Sequence, residues 1–325
     1  RPGAVRMVAR LLTADGIIVK KNGKEITFTM SGIADFDKIQ PGVAEPEDFD
    51  AFWDKQKALL AEVPLKVLKF EKFKEQNGKI AYDVQVACAG ERPVSGYLVM
   101  PRNAAPKSLE AKVIFQGYGA TGAEAPWGKA DEKSLAFQIN AHGYPNGLSP
   151  AEYKKLGAGK IFDDKSNENP ETAYFKNMIL RAVRALEYVQ TLPEWNGKDL
   201  KVEGGSQGGY QAIIAAGMLP DQVTGCYAFI PWCCDLGGVT VGRLGGARTT
   251  LRRSAISTRS IMRNELNIPS ESMPAWRIMF VLPPVLPHST TTSPPLRNAY
   301  ALRRGWNMAD AVRIHGSAKS GNKLV

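Results

Sequence analysis

Between residues 67 and 231 the apolar positions fall into short strand-length runs, broken by polar turns and by two stretches of helical period. Residues 67–73, 80–89 and 94–100 are rich in β-branched and aromatic side chains and predict an antiparallel start to a sheet. Residues 112–115 and 136–141 are short apolar runs of the kind that lie in parallel strands covered on both faces. Residues 172–191 place Met178, Ala182, Leu186 and Val189 on one side and predict a long helix. Residues 200–203 then read as a strand, 207–218 as a helix and 223–231 as another strand. Strands alternating with helices predict an α/β fold built on a doubly wound, mostly parallel sheet.

The chain before this region has a different pattern. Residues 5–12, 16–20 and 25–30 alternate or carry β-branched residues, and Asn22-Gly23 is a hairpin signal. So few short strands do not make an independent sheet, and residues 1–40 are expected to be the end of an N-terminal β domain. A linker over residues 34–45 leads to Pro46, which suits a first helical turn, and Glu47 and Asp48 favour the positive end of the dipole. Phe49, Phe52, Trp53, Lys57 and Leu60 follow on one side at helical spacing, and Pro64 stops the helix.

Composition narrows the function classes. No run of 18 apolar residues occurs, so no membrane-spanning helix is expected. No charged-then-apolar leader is visible after Arg1; the compartment is not legible, with a secreted or periplasmic place favoured over a cytoplasmic one. Cys88, Cys226, Cys233 and Cys234 fit neither a disulfide framework nor a zinc site and read as free thiols. The net charge of +10 suggests nucleic acid until its distribution is read. Residues 246–325 hold 12 Lys and Arg against 3 Asp and Glu, which leaves 30 against 29 in the first 245. The excess belongs to the tail, and no groove-reading or aromatic-interleaved basic face accompanies it. Neither a nucleic-acid nor a membrane partner is expected.

The chemistry-bearing pattern is Gly204-Gly205-Ser206-Gln207-Gly208-Gly209, placed after a strand and opening a helix. It matches G-x-S-x-G, the nucleophile elbow of the α/β-hydrolase fold. A sharp strand-to-helix turn forces the serine into strain, and small flanking residues let neighbouring backbones pass. The helix start supplies an N–H, that of Gln207, for a developing oxyanion. The plain alternative is a glycine-rich turn packed between strand and helix. Phe115-Gln116-Gly117-Tyr118-Gly119 ends an earlier strand, where this fold takes its second oxyanion donor, and Tyr118 N–H is the candidate. His142 ends the next strand and tempts as a general base, but this fold orders its triad Ser, acid, His. A structural or pocket-lining role is therefore expected of His142. Asp235 follows a strand end and is a candidate acid or a loop-bonding residue. Trp127 and Trp232 are candidate sugar-pocket walls or core residues.

Three segments together, Pro46-Glu47-Asp48-Phe49-Asp50-Ala51-Phe52-Trp53, Gly117-Tyr118-Gly119 and the Ser-Gln-Gly-Gly element at Ser206, resemble the acetyl xylan esterase and cephalosporin C deacetylase family. The resemblance spans about residues 44–245. It implies an α/β-hydrolase that takes acetyl groups from sugar hydroxyls, with Ser206 as nucleophile and Tyr118 and Gln207 as oxyanion donors. It implies an acetylated carbohydrate as partner, allows an oligomer, and implies no metal or organic cofactor. The family commonly carries Arg-Gly-Gln where this chain has His142-Gly143-Tyr144, a departure that falls on oligomer contacts and the pocket wall. Residues 41–245 are accordingly read as an incomplete α/β-hydrolase domain.

The family's acid sits in a Gly-x-x-Asp-x-x-x-Pro-Pro loop, with its histidine about thirty residues on. No such pair stands here; His288 and His315 lack the expected surroundings. Residues 246–325 also change character, holding 10 Arg and 2 Lys against 8 and 22 before them. Out-of-frame translation accounts for both facts. When each codon is read as the last base of one residue and the first two of the next, Met273-Pro274 forces Ala and Met279-Phe280 forces Val. The run from Met273 to Pro284 can then encode Ala-Gly-Leu-Ala-Asp-Tyr-Val-Cys-Pro-Pro, with the Asp codon straddling Arg277 and Ile278. Across residues 305–309 the same reading gives Met-Glu-His-Gly. Its Glu and Gly are forced, and the codon straddling Asn307 and Met308 is limited to His or Tyr. The slip is placed near residues 245–248. The rival is a genuine basic tail.

The expected function is a serine esterase deacetylating acetylated xylan or xylo-oligosaccharides, lacking its triad acid and base in the present frame. The alternatives are a prolyl oligopeptidase-type serine peptidase, which shares Gly-x-Ser-x-Gly-Gly-Tyr, and a non-catalytic hydrolase-like remnant.

Overall fold

A computed structural model of the chain describes residues 3–35, 38–39, 46–119, 122–157, 169–232, 234 and 302–303. At the N-terminus, β1 (Gly3–Arg10) and β4 (Thr27–Ala34) form a two-stranded antiparallel ribbon, and β2 (Lys20–Lys21) and β3 (Lys24–Glu25) form a second, very short one. The latter turns at Asn22 and Gly23, with φ of 53° and 76°, as the Asn-Gly signal requires. The segment expected as a strand over 16–20 is paired regularly only from Lys20. Val5, Met7, Val8, Phe28 and Met30 of the larger ribbon are exposed.

The main body is an eight-stranded sheet in the order β12-β11-β10-β8-β9-β7-β6-β5. Its strands are β5 (Val67–Gln76), β6 (Lys79–Val86), β7 (Val94–Pro101), β8 (Leu109–Phe115), β9 (Ser134–Ile139), β10 (Trp195–Gly205), β11 (Gly225–Phe229) and β12 (Leu302–Arg303). The four central strands β9-β8-β10-β11 run parallel, whereas β5, β6 and β7 join antiparallel on one side and β12 on the other. The helices are α1 (Phe49–Glu62), α2 (Pro150–Lys155), α3 (Tyr174–Gln190) and α4 (Gln207–Met218).

The core lies between this sheet and α3 and α4. Val113, Phe115, Phe137 and Ile139 of β8 and β9 meet Ala182, Leu186 and Val189 of α3 and Ala212, Ile213 and Ala215 of α4. All of them are effectively removed from water, and each large side chain so buried contributes about 1.5–3 kcal/mol. A second cluster joins Phe49, Trp53 and Leu60 of α1 to Phe175, Met178, Ile179 and Val183 of α3 and to Tyr210 and Ile214 of α4. The apolar stripe read from the sequence of the first helix is therefore its docking face, with Gln56 in place of Lys57 among its buried residues.

A buried cation completes that dock. Arg184 Nη2 of α3 donates to the carbonyls of Leu60 (2.5 Å) and Val63 (3.0 Å), at the end of α1. Leu60 O also accepts from the C-cap Val63 N–H at 3.1 Å, and a cation suits the negative end of the helix. Arg184→Leu keeps the packing volume but takes this donor from Val63 O and leaves Leu60 O only the Val63 N–H. We expect it to lower unfolding free energy by about 1–3 kcal/mol, read as a lower urea midpoint with an unchanged slope.

Candidate active site

The end of β10 delivers Ser206 to the N-cap of α4 with φ 55° and ψ −120°. A side chain at such a positive φ is strained by roughly 1–3 kcal/mol, and it is kept there by contacts that only glycine permits. A Cβ on Gly204 would stand 2.3 Å from the carbonyl carbon and oxygen of Gly208, and one on Gly208 would stand 2.1 Å from the Phe115 oxygen. The strand, the turn and the start of α4 thus interlock backbone against backbone. The serine's own peptide groups are held by the end of β11: Ser206 N–H donates to Phe229 O (2.9 Å), and Trp232 N–H donates to Ser206 O (3.0 Å).

The loop after β8 comes alongside. A Cβ on Gly117 would lie 3.5 Å from Gly205 O and 3.9 Å from Ser206 Cβ, so this loop passes directly beside the serine. It is pinned to α4 by Gln211 Nε2, which donates to Gln116 O at 3.3 Å. Tyr118 follows, its ring more than half exposed and 6.4 Å centre to centre from the Trp232 ring. The structure therefore gathers Ser206, Gln207, the loop of Tyr118, and Trp232.

His142 is placed elsewhere. It is 1% exposed, with its backbone N–H on Asn140 Oδ1 (2.7 Å) and its Nδ1 on the Tyr174 hydroxyl (2.7 Å). Tyr174 in turn accepts from Gln207 Nε2 at 3.2 Å. The histidine thus reaches the elbow through the side chain of residue 207. Trp127 packs against the opposite face of the sheet, beside Ala81, Val99, Ile114 and Ala136, and its carbonyl accepts from Lys79 Nζ at 3.0 Å. Asp235, His288, His315 and the proposed frame slip lie outside the described residues. Tyr174 and Gln211 have no signal in the sequence, because only tertiary packing brings them to the elbow.

Burial pushes the Cys88 thiol up to about 11 and the Cys226 thiol up to about 12; Arg181 and Arg184 oppose the rise at Cys88. Both thiols stay protonated near neutrality and make poor nucleophiles. Among the described residues, no group of three or more His, Cys, Asp or Glu side chains is gathered for a metal, and no helix is long and apolar enough to cross a membrane.

Comparisons with known proteins bear on the family and the fold. The family model of the acetyl xylan esterases matches residues 28–247. The chain is 26% identical over 217 residues to the acetyl esterase Axe7A of Xylanibacter ruminicola, a match covering 64% of this chain and 48% of that protein. It thus spans about half the length of the curated relative it matches. Among solved structures it is similar to the acetyl xylan esterase of Paenibacillus sp. R4, with 25% identity and a TM-score of 0.54 over 70% of this chain and 75% of that one. The family match begins within β4, so β1 and the short ribbon precede it. With the α/β-hydrolase sheet, the glycine-locked turn at Ser206 and a family match over most of its length, this chain belongs to the acetyl xylan esterase family of carboxylic ester hydrolases.

Proposed function

We propose that Ser206 is the nucleophile of an esterase that releases acetate from acetylated xylan or xylo-oligosaccharides. The observation that carries this reading is the strained serine between β10 and α4, beside the loop of Gly117. Ser206 Oγ attacks the acetyl carbonyl carbon, and its proton passes to a histidine. The carbonyl oxygen becomes an oxyanion held by the N–H groups of Gln207 and Tyr118. The C–O bond to the sugar breaks, the sugar hydroxyl leaves with the proton, and an acetyl-serine remains. Water, deprotonated by the same histidine, attacks that ester and frees acetate and Ser206.

The acid and the histidine are proposed to be encoded by the C-terminal segment in the shifted frame, by the codons straddling Arg277–Ile278 and Asn307–Met308. The elbow would otherwise keep only the catalysis that binding and an oxyanion hole supply, a residual factor of roughly 10³–10⁴ over water in serine hydrolases stripped of their triad. The test is a paired assay of the frame-restored product. We expect acetate release from acetylated xylo-oligosaccharide and no cleavage of a prolyl peptide. Peptide cleavage without acetate release would assign the peptidase chemistry instead, and neither product would leave a non-catalytic chain.

A further inference from the structure

The contacts of Gln207 extend the site beyond the elbow. Its side chain is fully buried, and Nε2 is directed at two groups of α3, the Tyr174 hydroxyl (3.2 Å) and Met178 Sδ (3.2 Å). Its Oε1 has no donor among the described residues. A tyrosine hydroxyl that accepts from an amide can still share a second hydrogen bond, and Tyr174 shares one with His142 Nδ1 at 2.7 Å. The hydrogen bonds therefore link Gln207, Tyr174 and His142 in one chain. The far end is fixed in turn: Asn140 Oδ1 takes the His142 N–H, Arg92 Nη1 reaches the His142 carbonyl at 3.5 Å, and the Tyr144 and Tyr174 rings flank the imidazole at 5.9 and 5.6 Å.

We infer that Tyr174, backed by His142, is a positioning residue for the oxyanion-holding N–H of Gln207. Residue 207 is the first of α4, directly after a serine held at positive φ. Such a turn gains by relaxing, and a misplacement of about 1 Å at a reacting centre can cost on the order of 100-fold in rate. The side chain of Gln207, tied to the first turn of a buried helix, resists that relaxation. In this arrangement His142 serves as a hydrogen-bond partner two bonds away from Gln207 rather than as the proton acceptor of Ser206. The inference rests on the reading of Gln207 N–H as an oxyanion donor.

Three variants of the full chain test it: Tyr174→Phe, which removes only the hydroxyl, His142→Leu, which removes the partner, and His142→Gln, whose side-chain amide can replace Nδ1. The readouts are the saturating rate and half-saturating concentration of Ser206 phosphonylation by a small alkyl fluorophosphonate. A third readout is the Gln207 side-chain amide resonance after selective ¹⁵N-glutamine labelling. Tyr174→Phe and His142→Leu are expected to slow the saturating rate about 10- to 100-fold, with the half-saturating concentration hardly moved. Both should shift the amide resonance toward that of a free glutamine, and His142→Gln should restore much of the rate. Wild-type rate and an unmoved resonance in Tyr174→Phe would overturn the inference. So would a His142→Gln variant as slow as His142→Leu, because His142 would then be handling the proton itself. If the frame-restored product takes no label, the nucleophile reading alone fails, and the amide resonance still decides whether Tyr174 holds Gln207.

Discussion

Replacing Ser206 by alanine in the frame-restored esterase should lower kcat for acetyl ester hydrolysis by about 10⁵- to 10⁶-fold, the loss seen when a hydrolase nucleophile is removed. The same position gives a second, opposite reading in stability. Ser206 sits at φ 55°, ψ −120°, where a Cβ costs energy that glycine does not. Ser206→Gly is therefore expected to be as inactive as Ser206→Ala and yet more stable than the parent by about 1 kcal/mol. Thermal melts and acetate assays on the three proteins check both halves. A serine retained only as a packing residue would show the gain from glycine without the loss of rate.

Gly208→Ala should have the largest effect on folding. Its added Cβ meets the Phe115 oxygen at 2.1 Å, the Phe115 carbonyl carbon at 2.7 Å and the Gln116 carbonyl carbon at 3.0 Å. All three are backbone atoms at the end of β8, so no side chain can rotate away. Either α4 must lift from the sheet or the loop carrying Tyr118 must move, and overpacking of this kind costs about 1–3 kcal/mol or more. We expect a loss of about 3 kcal/mol in unfolding free energy, with activity falling further than the unfolded fraction explains. Gly128 is the control, because a Cβ there meets nothing within 4 Å. Gly128→Ala should leave the urea midpoint nearly unchanged.

The elements that could be read from the sequence are those whose apolar pattern matches their burial. Residues 207–218 were legible as α4 because every position in it is buried and glycines mark its start. Strand β10 runs from Trp195 to Gly205, well beyond the expected 200–203. Its first residues pair with β8 across an irregularity in register and carry polar side chains, so no apolar run announces them. Helix α2 was not expected at all. It is only 6 residues long and buries Tyr153 alone, too little for a helical period. Its signal lay in the Ser149–Glu152 capping box and in Pro150 at the helix start.

The site divides in the same way. Ser206 and its glycines are local in the chain, so the strand–turn–helix motif announces the elbow, although Phe115, Phe229 and Trp232 from other segments help to hold it. Tyr174 lies 33 residues before Gln207 and 32 after His142. Nothing in the sequence marks a tyrosine at the head of a helix as the link between them. Trp127 shows the reverse: a tryptophan offers the same sequence signal whether it lines a pocket or, as here, packs on the back of a sheet.

The most direct test of the account is peptide mapping of a fluorophosphonate adduct, timed on the chain in its present frame and on the product restored by a one-base change near the codons of residues 245–248. One adduct is expected, on Ser206, forming at least about 100-fold faster in the restored product, which alone carries the acid and the histidine. An adduct on any other residue would contradict Ser206 as nucleophile, and equal rates in the two proteins would contradict the origin proposed for the rest of the triad.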